Sequence, residues 1–243
     1  MKKFVCLVAI CLLNASSLKV AANIEKMNTS LAIIKKYEEL MDLDRKRQIP
    51  IQISSIVDNS KNKVIVLNHG YGVTYKDYQF IANHLAKLGF IVVSIQHDLK
   101  TDPKIPRTGN IFQRRKPMWE RGVQNILFVL DKLKRIDPNL NLDKVTLIGH
   151  SNGGDISMMF ADLYPQKTAN VISIDSLRYP FPVKHHLPIL SLRATDTKAD
   201  EGVLPKTGAK IVTIKNAKHN DMYDAATDQV KTDILNEISD FLK

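Results

Sequence analysis

A chain of 243 residues, 44% of them apolar, is long enough for one α/β domain with a substantial core. Its formal charge of +10 is carried in part by Lys2, Lys3 and Lys19. The remaining Lys and Arg are scattered, with short clusters at Arg45-Lys46-Arg47 and Arg114-Arg115-Lys116. No aromatic residues interleave those clusters, which speaks against a nucleic-acid partner and for a solvated basic face. Association with an anionic membrane surface is the sharper alternative.

Met1-Lys2-Lys3 followed by the apolar stretch Phe4–Leu13 has the layout of a secretory signal peptide. The apolar centre is about ten residues, against the roughly twenty that a membrane span needs. A signal peptide over 1–22 is expected, with cleavage near Ala21 or Ala22 (Ala15-Ser16-Ser17 is the other candidate) and a domain over 23–243. The protein is therefore expected to be exported, to the periplasm or the medium. Both cysteines, Cys6 and Cys11, fall in the leader, so the mature chain has no disulfide.

Residues 24–44 read as a helix, with Leu31, Ile34, Leu40 and Met41 on one side. Pro50–Ile56 alternates at period two and reads as a partly exposed strand, and Asp58–Asn62 is a polar turn. Val64–Leu67 is continuously apolar, a central strand, and ends in His69-Gly70-Tyr71-Gly72. A helix over Tyr78–Leu88 stops at Gly89. Phe90–Ile95 is a buried strand, 97–117 a loop with three prolines, and 118–135 a long helix. Further strands are predicted over 145–148, 170–174, 189–192 and 210–214, and a last helix over 225–241. Apolar strands alternating with helices imply a mostly parallel sheet covered on both faces, in a single domain without a large cap.

The chain is organised around Gly149-His150-Ser151-Asn152-Gly153. An apolar strand runs into this Gly-x-Ser-x-Gly and a helix follows, which is the context of a nucleophile elbow. The turn strains the serine backbone and leaves no room for side chains at 149 and 153.

A serine hydroxyl is a poor nucleophile at neutral pH and needs a base, itself oriented by a third group. His219 follows the last strand and precedes the terminal helix, so it is the expected general base for Ser151. The acid should lie between them in the chain order Ser, acid, His. Asp196 is the first choice, Asp200 in the same loop the second, and Asp175 at the end of the preceding strand the third. The oxyanion of a tetrahedral intermediate needs preformed donors. The N–H of Asn152 and that of Tyr71 are the candidates, with Gly70 and Gly72 allowing close approach. His150 is expected to face away from the nucleophile, His69 to be structural or pocket-lining, and His97 to line the pocket. His185 and His186 show no chemical partner. No metal-binding spacing such as HExxH occurs, and no cofactor or metal is expected.

His69-Gly70, Gly149-His150-Ser151-x-Gly153 and the late His219 resemble the α/β-hydrolase superfamily over essentially the whole mature chain. Ser94–Asp98, Trp119–Gly122 and His219–Met222 are similar to an exported bacterial subgroup of it. The resemblance implies the fold, the triad roles and a hydrolytic acyl-enzyme. On this reading the protein is a monomeric serine esterase acting on small or extended esters at an open site bordered by 97–117. Two rivals stand beside it: a serine peptidase or acyltransferase with the same triad, and a binding protein on a hydrolase fold.

Overall fold

Along the central strands, successive apolar side chains feed two separate cores. Val64 and Val66 pack on one side of the sheet, Ile65 and Leu67 on the other. Such two-sided burial is the pattern of a sheet sandwiched between helices. The computed structural model describes residues 32–57 and 62–243, so the expected signal peptide and nearly all of the polar turn lie outside the described residues.

The strands are β1 (Ile33–Asp42), β2 (Arg47–Ile56), β3 (Lys63–Asn68), β4 (Ile91–Ile95), β5 (Asn141–His150), β6 (Thr168–Ile174), β7 (Ile189–Arg193) and β8 (Lys210–Thr213). They form one sheet in the order β1-β2-β4-β3-β5-β6-β7-β8. β1 and β2 join antiparallel, and every pairing from β4 through β8 is parallel. Among the described residues four α-helices cover it: α1 (Gln79–Lys87), α2 (Ile111–Ile136), α3 (Asn152–Leu163) and α4 (Asp228–Phe241). Trp119, Val123 and Ile126 of α2 and Ile156 and Phe160 of α3 fill one core. Ile81 and Leu85 of α1 and Val230, Ile234 and Ile238 of α4 fill the other. Each fully buried aliphatic side chain contributes about 1.5–3 kcal/mol.

Two expected elements differ. The described part of 24–44 is a strand, not a helix. It pairs with β2 from Ile33↔Ile56 to Asp42↔Arg47, through a tight turn in which Lys46 has φ 50°. Alternation shows at the end next to the turn, where Leu40 and Asp42 are buried and Met41 between them is exposed. Lys35, Lys36 and Glu39 suit a helix by composition, but β1 is the sheet's edge, where charged side chains remain in water and discourage further pairing.

The loop after β4 is also shorter than expected, because α2 begins at Ile111. Asn110 caps it, its side chain accepting from Gln113 N–H at 3.2 Å. Pro117 lies inside the helix, which costs about 3 kcal/mol. The packing of Phe112 against Trp119 and Tyr179 holds the first turns in place.

Candidate active site

Strand β5 delivers Ser151 with φ 50° and ψ −117°, a conformation that L-residues adopt only when their surroundings impose it. The imposing contacts are backbone to backbone. A Cβ at Gly149 would lie 2.1 Å from Gly153 O, and one at Gly153 would lie 2.2 Å from Asn68 O. Behind the turn, Ser151 N–H donates to Ile174 O at 2.9 Å, and Asp155 N–H donates to Ser151 O at 3.0 Å to start α3.

Three side chains converge here. Ser151 Oγ is 2.9 Å from His219 Nε2, and His219 Nδ1 is 2.6 Å from Asp175 Oδ2. The ring's carboxylate partner is therefore Asp175, the last choice in sequence, and not Asp196 or Asp200. Asp196 Oδ1 accepts instead from the main-chain N–H of His219 at 2.8 Å. Asp200 is placed elsewhere, its N–H bonded to Leu177 O at 2.8 Å. The physical reason lies at the end of β6. Asp175 N–H continues the ladder onto Leu192 O at 2.8 Å while its φ of 54° turns the side chain toward the loop carrying the histidine.

Asp175 is fully buried. Burial works against its charge, but hydrogen bonds from His219 and Thr197, the Arg193 guanidinium and the Ala194 N–H hold its carboxyl below the usual range. Arg193 Nη2 lies 2.7 Å from Asp175 Oδ1, and Thr197 Oγ1 donates to Oδ2 at 2.5 Å. With Oδ2 accepting from Nδ1–H, the Nε2 lone pair of His219 faces the serine hydroxyl.

His150 makes no hydrogen bond to the Ser151 hydroxyl but lies against His219. Its ring centroid is 5.3 Å from that of His219, its Nε2 bonds His219 O at 2.8 Å and its Nδ1 bonds Tyr78 Oη at 2.7 Å. Gly70 N–H donates to that same Tyr78 oxygen at 2.9 Å, so the phenolic hydrogen points to His150. Burial lowers the pKa of His150 to about 4 and keeps it neutral. Neither His150 nor Tyr78 stands out in sequence, since their bonds join segments 69 and 72 residues apart.

His69 and His97 are buried beneath the turn rather than exposed in a pocket. His69 Nδ1 contacts Gly70 O at 2.7 Å and its Nε2 accepts from His97 N–H at 2.9 Å. His97 Nε2 contacts Asn68 Oδ1 at 2.8 Å. His185 has a partner after all, Asp162. Asn152 is anchored by Trp119, whose indole N–H donates to Asn152 Oδ1 at 2.9 Å. The N–H of Asn152, in the first turn of α3, has no intrahelical acceptor. Among the described residues no acceptor meets it or the N–H of Tyr71.

A parallel sheet with antiparallel edge, helices on both faces and an elbow serine at a strand end define a member of the α/β-hydrolase superfamily. The chlorophyllase family model matches residues 25–178, well over half of the chain. The chain belongs to the chlorophyllase family; the matched segment includes the elbow and Asp175 and ends before His219. No curated protein sequence matches. Among solved structures, a ferulic acid esterase from Streptomyces cinnamoneus superposes with a TM-score of 0.66 at 13% identity, over 88% of this chain and 89% of that one. A dienelactone hydrolase from Anabaena variabilis gives 0.61 at 17% identity, over 86% and 97%. A membrane phospholipase A described as a bacterial virulence factor gives 0.56 at 15% identity, over 100% and 98%. At these identities the likeness is one of fold.

Proposed function

We propose that the protein is a serine hydrolase that cleaves carboxylic esters through an acyl-enzyme. The observation that carries this reading is the unbroken line from Ser151 Oγ through the His219 ring to Asp175. His219 Nε2 takes the hydroxyl proton as Ser151 Oγ attacks the ester carbonyl carbon. The negative charge that develops on the carbonyl oxygen is met by the N–H groups of Asn152 and Tyr71. Asp175 holds the ring in the required tautomer and stabilises the imidazolium. Collapse of the intermediate expels the alcohol, which takes the proton from His219, and leaves the acyl group on Ser151. Water then attacks the acyl carbon, giving up its proton to His219, and the acid is released as Ser151 recovers its own.

The names of the structural relatives, an esterase, a lactone hydrolase and a phospholipase, agree with ester chemistry. The family name points to chlorophyll, whereas the residues described require only an ester carbonyl. The test is labelling by a fluorophosphonate probe. Labelling of the wild type is expected, abolished in Ser151→Ala and strongly reduced in His219→Ala. A folded wild type that does not label would sink the proposal and favour a binding protein on this fold.

A further inference from the structure

The reading of Ser151 as an ester-cleaving nucleophile leaves two cations beside it unexplained. On α2, residues 112, 115 and 119 lie on one face at helical spacing. Phe112 and Trp119 both pack on Tyr179, with ring centroids 6.0 and 5.9 Å away. Trp119 also donates to Asn152, the residue after Ser151. Arg115, between them on that face, is therefore directed at the mouth of the elbow. Its guanidinium lies 5.4 Å from the centre of the Tyr71 ring, over the turn after β3. Arg178 adjoins Tyr179 on the segment after Asp175 and lies within electrostatic reach of Arg115.

Neither guanidinium has a carboxylate partner among the described residues. Arg45, Arg47, Arg121 and Arg193 do, on Asp42, Asp102, Asp98 and Asp175, and Arg114 is engaged by the carbonyls of Pro106 and Arg107. The Nε atoms of Arg115 and Arg178 are nevertheless buried, with no acceptor. Asp155 is the carboxylate facing them, but its Oδ1 is occupied by the main-chain N–H groups of Arg178 and Tyr179 at 3.0 and 2.9 Å. One buried carboxylate faces two half-buried arginines. Leaving two such cations half-desolvated and unpaired is costly unless an anion completes them.

We propose that Arg115 and Arg178 form an anion subsite next to Ser151, and that the preferred substrates are esters that also bear a free carboxylate. A planar carboxylate matches the guanidinium fork in a way that a neutral ester group does not. Bound there, it fixes the scissile carbonyl relative to Ser151 and the Tyr71 N–H.

The inference rests on the ester-hydrolase reading, and matched substrates separate the two. Monoethyl adipate and diethyl adipate share an acyl chain and differ in the free carboxylate. The pair 4-acetoxybenzoate and its methyl ester moves the carboxylate to the leaving group. The wild type is expected to favour the anionic member of at least one pair by about tenfold or more in kcat/KM, through KM. Arg115→Gln and Arg178→Gln, checked for wild-type melting behaviour, should each bring that ratio close to one. Equal hydrolysis of both members, or an anionic preference that survives both substitutions, overturns the subsite while leaving ester hydrolysis intact. If no ester is cleaved, titration calorimetry of Ser151→Ala with monoethyl against diethyl adipate decides the subsite alone. Tighter binding of the anion, lost in the arginine variants, supports it, and equal binding refutes it.

Discussion

His150 Nε2–H donates to the main-chain carbonyl of His219 across 2.8 Å, so the residue before Ser151 holds the backbone of the proposed base. The other ring nitrogen is fixed by Tyr78, which in turn holds Gly70 N–H beside the proposed oxyanion donor. One line of hydrogen bonds therefore links the turn after β3 to His219. Tyr78→Phe leaves Gly70 N–H and His150 Nδ1 unpaired in the interior, which should cost about 1–3 kcal/mol. Thermal denaturation checks this, and a melting temperature equal to wild type would exclude it. The same variant should lower kcat more than it raises KM, because it loosens catalytic groups and not substrate contacts.

The two aspartates that touch His219 do so at different atoms, and their removal should separate cleanly. Asp175→Asn offers the ring an amide in place of the anion and should lower kcat by about 10⁴-fold, the loss seen when a triad loses its tautomer-fixing acid. Asp196→Asn still presents an oxygen to the His219 N–H, and the loss should stay within about tenfold. Steady-state kinetics on one ester suffice. The reverse ranking would return the acid role to Asp196.

Acid should destabilise the fold well above the carboxylate range. His150 titrates at 6.5 when unfolded and at about 4 when folded, because burial disfavours its cation. As pH falls below about 6.5 the unfolded chain takes up the proton first. The fold therefore loses stability down to about pH 4, by about 3 kcal/mol from this group. Burial lowers His69 and His97 in the same sense. Asp155 acts oppositely: burial raises its pKa from 3.8 to about 6, so the folded form binds the proton first and gains stability across that window. With four histidines, His84 being lowered by burial as well, against one aspartate, urea midpoints should fall from pH 7 to pH 4.5. Asp155→Asn should steepen the fall and His150→Phe should flatten it.

α2 and α3 touch at Gly122, where an added Cβ would lie 2.6–2.8 Å from three carbons of the Ile156 side chain. Gly122→Ala should destabilise by about 1–3 kcal/mol through overpacking. Ile156→Val in the same chain should recover part of that loss. Independent, additive effects in a double-mutant cycle would refute the contact as the cause.

The central strands, the elbow and His219 are legible in the sequence because each depends on local pattern: apolar runs, glycines at fixed offsets, one histidine after the last strand. The acid is not. Chain order admits Asp196, Asp200 and Asp175 and puts Asp175 last, and what selects Asp175 is the geometry at the end of β6, where its φ is positive. β1 misleads for a related reason: an exposed edge strand rich in Lys and Glu imitates the surface of a helix, and only its pairing with β2 reveals the period of two. Pro117 likewise suggests a loop, whereas the Asn110 cap and the packing of Phe112 prevail. The contacts of His150 and the nearness of Arg115 to Arg178 join distant segments and leave no trace in local sequence.

Arg193 is buried against Asp175 at 2.7 Å, independently of His219. The negative charge that orients the base thus has its own permanent counter-charge within the sheet. A substitution at His219 would remove the proposed base without stranding an anion in the core, whereas one at Arg193 would strand it. In the proposed mechanism catalysis and architecture draw on separate cations, so descendants of this chain could shed that activity and keep the fold for another use.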